Sequence, residues 1–280
     1  MTEADRISTV EREGLVFDVV DEGPLDGETV VLLHGWPERA TSWGEVTPVL
    51  NAAGFRTFVP DRRGFSPRAR PKRRRDYTLP DLTDDVVALI DAIGGSVHVV
   101  GHDWGAAVAW CVAGHHPAKV RTLTAVSVAH PAAFMKAMLR SDQALRSWYM
   151  GLIQLPLLPE LVVERRAAWF DVQLLKGGMS KADVRRFRRE IVEDGAFPTS
   201  LNCYRALPFT KPGFVRFRVA APTTMVWSDE DVALGRWAVE HAADWCDGDF
   251  ELVVLEGLSH WIPTEAPEVL AETILERIIG

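Results

Sequence analysis

Four short stretches hold residue types whose order suits nucleophilic catalysis. Asp103 sits in Gly101-His102-Asp103-Trp104-Gly105, between the apolar run Val97–Val100 and a helical pattern that starts near Gly105. This is the strand–turn–helix setting of a nucleophile elbow, G-x-S-x-G, with Asp in the place of Ser. The flanking glycines permit a tight turn that lifts the central side chain clear of a sheet, and the helix start supplies N–H groups beside it. His34-Gly35-Trp36-Pro37 follows the run Thr29–Leu33 directly. A loop in that place donates one oxyanion N–H and the residue after the nucleophile donates the other, so Trp36 and Trp104 are the expected donors. Asp229, Glu230 and Asp231 follow the run Thr223–Trp227. Asp231 is preferred to Asp229 as the orienting acid, although each suits the N-cap of a helix near Leu234. His260 comes just after the last strand-like run. The chain order is therefore nucleophile, acid, base.

An aspartate nucleophile narrows the chemistry. A carboxylate that attacks an ester gives a high-energy anhydride, which argues against an esterase. The same carboxylate displaces well at saturated carbon, opening an epoxide or expelling a halide, and becomes an ester of its own. A histidine oriented by an acid then activates water against that ester.

The elements that must position these residues are strands alternating with helices. Strand-like runs fall at Leu15–Asp21, Thr29–Leu33, Arg56–Val59, Val97–Val100, Arg121–Val128, Thr223–Trp227 and Glu251–Leu255. Several are apolar throughout, as in strands covered on both faces. Amphipathic stretches lie near Thr41–Ala53, Leu79–Ile93, Gly105–His115, Leu234–Cys246 and Pro267–Ile278. The alternation predicts an α/β fold, a mostly parallel sheet with helices on both faces. It lapses between about Ala132 and Lys211, where the pattern is helical only. The expected organisation is a core of 1–131 plus 212–280 with an all-helical cap, 132–211, above the carboxyl edge of the sheet.

The whole-chain balance limits the partners. With 31 Lys+Arg against 39 Asp+Glu the net charge is −8, a poor match to nucleic acid or an anionic membrane. The run Arg62–Arg75 holds eight basic residues, but it lacks the repeated aromatics that stack bases and reads as a solvated loop. The basic face Arg185–Arg189 reads the same way. Cys111, Cys203 and Cys246 are odd in number and far apart, without metal spacing, so reduced thiols in a cytoplasmic protein are expected. The charged start, MTEADRISTVEREG, has no apolar h-region, and no stretch reaches the ~20 apolar residues of a membrane span. Neither a metal nor a cofactor is expected; monomer and homodimer both stay open.

These motifs together resemble the α/β-hydrolase superfamily, and within it the epoxide hydrolases. His34-Gly35-Trp36-Pro37 resembles their H-G-x-P, Gly101–Gly105 their G-x-D-x-G, and Asp61-Arg62-Arg63-Gly64-Phe65 their D-x-R-G-[YF] loop. Trp227–Leu234 resembles W-G-x-x-D-x-x-L with Ser228 in place of Gly, a register that selects Asp231. The likeness covers nearly the whole chain beyond the first dozen residues. It implies an eight-stranded sheet and an apolar epoxide hydrolysed by water to a diol. It also implies two cap tyrosines that protonate the opening ring. Tyr149 matches the first, and Tyr204, in Asn202-Cys203-Tyr204-Arg205, matches the second, with Cys203 where the family motif N-W-Y-R has Trp.

Haloalkane dehalogenases share the Asp nucleophile and a following Trp but usually carry Asn where this chain has Trp36. Fluoroacetate dehalogenases place Arg, not Trp104, after the nucleophile. A non-catalytic binder on the same scaffold is the remote alternative. Phe134, Met135, Met138, Trp148, Leu152 and Trp169 are candidates to line an apolar pocket. His130, after the run Arg121–Val128, is expected either to hydrogen-bond within the site or to cap the hinge into the helical segment.

Overall fold

The computed structural model describes residues 6–280, so the first five residues of the charged N-terminal stretch lie outside the described residues. Eight strands form one sheet: β1 (Thr9–Arg12), β2 (Leu15–Glu22), β3 (Glu28–Leu33), β4 (Phe55–Pro60), β5 (Val97–His102), β6 (Val120–Val126), β7 (Thr223–Ser228) and β8 (Phe250–Leu255). Their order is β1-β2-β4-β3-β5-β6-β7-β8. β1 and β2 run antiparallel to their neighbours, and the other pairs are parallel. Sequence reasoning missed β1, a four-residue edge strand too short to show alternation.

Successive residues of the central strands serve opposite faces. Val31 and Leu33 of β3 pack with Val97 and Val99 under α2 (Leu79–Ile93) and α3 (Trp104–His115). Val30 and Leu32 pack on the other face with Trp43, Leu50 and Ile274 of the flanking helices, including the C-terminal one, Pro267–Ile279. Two expected helices are shorter than their amphipathic stretches. Thr41–Ala53 divides into a 3₁₀ turn, Ala40–Trp43, and a helix, α1 (Thr47–Ala52), around Gly44. Leu234–Cys246 contains only Arg236–Glu240 and a 3₁₀ turn at Ala243–Trp245.

The chain leaves β3 for β4 on one side, then returns to place β5 on β3's other side. The loops after β3 and β5 therefore diverge at a topological switch point, the place where open α/β sheets form a crevice for ligands. His34–Pro37 and Asp103 follow these two strands.

From Pro131 to Phe209 the chain is helix and turn, with no strand among the described residues. This segment rests on the loops after β3 and β4. Trp36 Nε1 donates to Ser200 Oγ at 3.1 Å, and Thr199 Oγ1 donates to the Gly64 carbonyl at 2.7 Å. Arg186 pairs with buried Glu38 at 2.9 Å. Within the face Arg185–Arg189, Arg186 and Arg188 are thus partnered, Arg188 with Asp171, while Arg185 and Arg189 are exposed, Arg189 beside Glu190.

The run Arg62–Arg75 needs the same correction. Arg68, Lys72, Arg73 and Arg75 are exposed, but Arg62 and Arg63 are 5% and 4% exposed. Arg63 is held by both oxygens of Asp85 at 2.7 Å, and Arg70 pairs with Asp194 of the helical segment. No helix among the described residues is long and apolar enough to cross a membrane.

Candidate active site

β5 ends at His102 and α3 begins at Trp104, so Asp103 alone makes the turn, with φ +51° and ψ −121°. A non-glycine residue held there stores roughly 1–3 kcal/mol of strain. The surrounding backbone is packed too closely for side chains. A Cβ on Gly101 would lie 2.4 Å from the Gly105 carbonyl oxygen, and one on Gly105 would lie 2.0 Å from the Leu33 carbonyl oxygen. Gly105→Ala must push α3 off β3. Chemical denaturation is expected to show a loss of at least about 2 kcal/mol, whatever the substrate.

The turn brings Asp103 to the loop after β3. Trp36 N–H donates to Asp103 Oδ1 at 2.7 Å, and the Trp36–Pro37 peptide is cis. Gly35 permits this approach, since a Cβ there would lie 2.7 Å from that of Asp103. The Trp104 N–H is a first-turn donor with no acceptor inside α3.

Asp231 uses its two oxygens differently. Oδ1 accepts from Ala233 N–H at 2.7 Å and Leu234 N–H at 2.9 Å; Oδ2 lies 2.8 Å from His260 Nδ1. The helix expected near Leu234 starts only at Arg236 with Gly235 as its N-cap, so Asp231 does not cap it but holds the turn before it, with its second oxygen facing His260. Asp229 is exposed and accepts from Gly257 N–H instead. His260 Nε2 lies 3.5 Å from Asp103 Oδ2. The His260 loop is pinned from below. His102 Nε2 and Ser127 Oγ both donate to the His260 carbonyl at 2.9 Å, and Ser228 Oγ donates to the Ser259 carbonyl at 2.6 Å.

These contacts set the charges. Burial pulls the His260 pKa down, but the Asp231 and Asp103 carboxylates outweigh it and push it up to about 10. Burial pulls the Asp103 pKa up, and His260, His102 and the Trp36 N–H hold it below the ordinary carboxylate value. Both shifts run toward the charged forms, aspartate beside imidazolium.

Tyr149 lies on the helix Trp148–Ile153 and Tyr204 on Asn202–Arg205. Their rings meet edge to face with centroids 6.0 Å apart, and Tyr204 also packs on Trp104 at 4.9 Å and Trp36 at 5.6 Å. Burial, reinforced by the Asp103 charge, pushes both phenols above their usual range, so both stay protonated. Sequence reasoning missed what aligns them. Gln154 Nε2 donates to the Tyr204 carbonyl at 2.8 Å. Arg205 forks onto Glu160 at 2.7 and 2.9 Å and donates to the Ile153 carbonyl. The Arg of the N-C-Y-R stretch was the visible signal, but its partner lies 45 residues away.

A cavity of about 880 Å³ opens over these groups, lined by Asp103, Trp104, Tyr149, Tyr204 and His260. Phe134, Met135 and Met138 line it too. Trp148, Leu152 and Trp169, expected there, instead face solvent at 62%, 44% and 54% exposure.

Two supporting histidines act on loops. His34 Nδ1 donates to the Gly35 carbonyl at 2.9 Å and Nε2 accepts from Arg62 N–H at 3.1 Å, which fixes its neutral tautomer. Burial, with Arg62 adding to it, drives its pKa well down. His130 Nδ1 accepts from Ala132 N–H at the start of the helix Pro131–Arg140, and its ring stacks on Trp245. It caps the hinge. Burial lowers its pKa to about 3. Among the described residues no group of three or more His, Cys, Asp or Glu is placed to hold a metal ion.

Residues 30–273 match the profile of the alpha/beta hydrolase family. The AB hydrolase superfamily protein YfhM of Bacillus subtilis is 32% identical, over 96% of each chain. Epoxide hydrolase 3 of Xenopus tropicalis is 31% identical, over 93% of this chain and 74% of that one. A solved structure from a set of novel epoxide hydrolases in metagenomes from hot environments superposes with TM-score 0.85 at 29% identity, covering 97% of this chain and 98% of that one.

Proposed function

Because the chain belongs to the alpha/beta hydrolase family, we propose that it hydrolyses epoxides to vicinal diols through an ester formed on Asp103. The observation that carries this reading is the company Asp103 keeps. A carboxylate nucleophile and two protonated tyrosines share one largely apolar cavity. In this reading residues 132–211 act as a cap over a core of 1–131 and 212–280, and the cap supplies the tyrosines.

An apolar epoxide enters with its oxygen toward Tyr149 and Tyr204. Asp103 attacks a ring carbon, the carbon–oxygen bond of the ring breaks, and the departing oxygen takes a proton from a tyrosine. Esterification removes the negative charge of Asp103, one of the two carboxylates that hold the His260 proton. His260 then gives up that proton more readily, by way of solvent to the tyrosinate, and, aligned by Asp231, takes one from water. Hydroxide adds to the Asp103 carbonyl, and the oxyanion rests on the Trp36 and Trp104 N–H groups. Collapse expels the diol and restores the carboxylate. Each oxyanion donor is worth about 10²–10³ in rate.

Haloalkane dehalogenation needs donors for a departing halide. The Trp36 indole donates to Ser200, so the two indoles are not both free to hold a halide, which speaks against that reading. A side-by-side assay tests the choice, with diol measured from styrene oxide and halide from 1-bromobutane. Diol without halide is expected. Tyr149→Phe and Tyr204→Phe should each slow diol formation about 10-fold or more, and the double variant far more. Halide release with no diol from the wild type contradicts the reading.

A further inference from the structure

Arg62 is a buried cation whose chemistry the steps above do not use. It stands at the variable position of the Asp61–Phe65 loop, beside the arginine that the motif specifies. Arg63 shows the ordinary way to bury a guanidinium, with both its charge and its fork met by Asp85. Arg62 has no such partner. Its backbone N–H donates to His34 Nε2 at 3.1 Å, and its Nε donates to the His34 carbonyl at 2.7 Å. Nη1 and Nη2 are buried without a hydrogen-bond partner among the described residues. The Phe65 ring lies 5.2 Å from the guanidinium carbon. Burying a charge in this way costs several kcal/mol unless opposite charge is near. The carboxylates whose negative charge favours this cation are Asp103 and Asp61, while burial holds the neighbouring Tyr204 phenol and Cys203 thiol neutral. Cys203 is the small residue that stands where the family motif has Trp. Arg62 and this one departure from the motif are therefore neighbours.

We propose that Arg62 is a positioning residue of the active site, acting in two ways. It clamps the loop that presents the Trp36 N–H, through two bonds to His34, and it supplies a fixed positive charge for the anion that Asp103 carries. The first follows from the geometry. Trp36 is two residues beyond His34, and its N–H sits 2.7 Å from Asp103 Oδ1. The second follows from burial, because a fixed charge acts strongly where water is excluded. The inference rests on Asp103 as the nucleophile. The other titratable groups facing Asp103 are His102 on β5, His260 backed by Asp231, His34 on the clamped loop, and Tyr149, Cys203 and Tyr204 from the helical segment.

The test uses the full chain as Arg62→Met and Arg62→Lys, with styrene oxide as probe. The Asp103 carboxyl midpoint is read by ¹³C NMR of aspartate-labelled protein without substrate, and Asp103→Ala assigns the signal. In Arg62→Met the midpoint is expected to rise by about one unit. Ester hydrolysis is expected to slow about 10-fold, so that trapped ester accumulates and kcat and KM fall together while kcat/KM changes little. Arg62→Lys keeps the charge and loses the fork, so its midpoint stays near wild type while hydrolysis remains slow. A folded Arg62→Met with an unchanged midpoint and an unchanged ester level overturns the proposal. Should Arg62→Met not fold, an Arg62→Lys protein that hydrolyses the ester at the wild-type rate overturns the clamp. If the wild type turns over no epoxide, the epoxide reading fails while the substrate-free midpoint still decides on Arg62.

Discussion

Asp103→Ala is expected to form no ester and no measurable diol, a loss on the order of 10⁴-fold or more. Among the described residues no other carboxylate lines the cavity to replace it, and the tyrosines there are held in the acid form. The substitution also removes one of the two charges that raise the His260 pKa. The imidazole should therefore lose its proton at a lower pH than in the wild type, which ring ¹⁵N chemical shifts will show. Diol formation at a rate near wild type would remove Asp103 from the chemistry.

His260→Gln is expected to stop the reaction halfway. Alkylation needs only the Asp103 carboxylate and the acid tyrosines, so the protein should gain the mass of one epoxide and keep it. Hydrolysis should slow by about 10²–10⁴-fold, the range of a lost general base. Asp231→Asn should act in the same direction for a more specific reason. Its carboxylate serves the Ala233 and Leu234 N–H groups with one oxygen and His260 Nδ1 with the other. An amide has a single oxygen. If that oxygen keeps the backbone bonds, its NH₂ faces Nδ1 and forces the ring proton onto Nε2, where the base is needed. Intact-protein mass spectrometry after mixing with styrene oxide reads both variants; adduct levels no higher than wild type would contradict the assignment.

The positions of the candidate groups were legible because their grammar is local. An apolar strand, a glycine-flanked turn and a helix start place one side chain at the sheet edge, and Asp103 is that side chain. Asp231 and His260 follow strands in the same way. What was not legible depends on which way a short helix turns or on partners far along the chain. Trp148 and Leu152 are four residues apart and share the outer face of their helix, whereas Tyr149 and Ile153 share the inner one. Composition does not tell these faces apart. Arg62 and Arg63 sit in a run that reads as solvent-exposed, and their burial is decided by His34 and by Asp85, residues outside that run. The contact between the Trp36 indole and Ser200 crosses 164 residues and has no local sign.

The covalent step is tested most directly by one turnover in ¹⁸O-water, with the enzyme in excess over epoxide. If Asp103 first bonds to carbon and water then attacks the acyl carbon, the diol leaves with an unlabelled aspartate oxygen and the label appears in the peptide containing Asp103. Label found in the diol, with that peptide unlabelled, would mean that water attacks the substrate directly and that no ester forms.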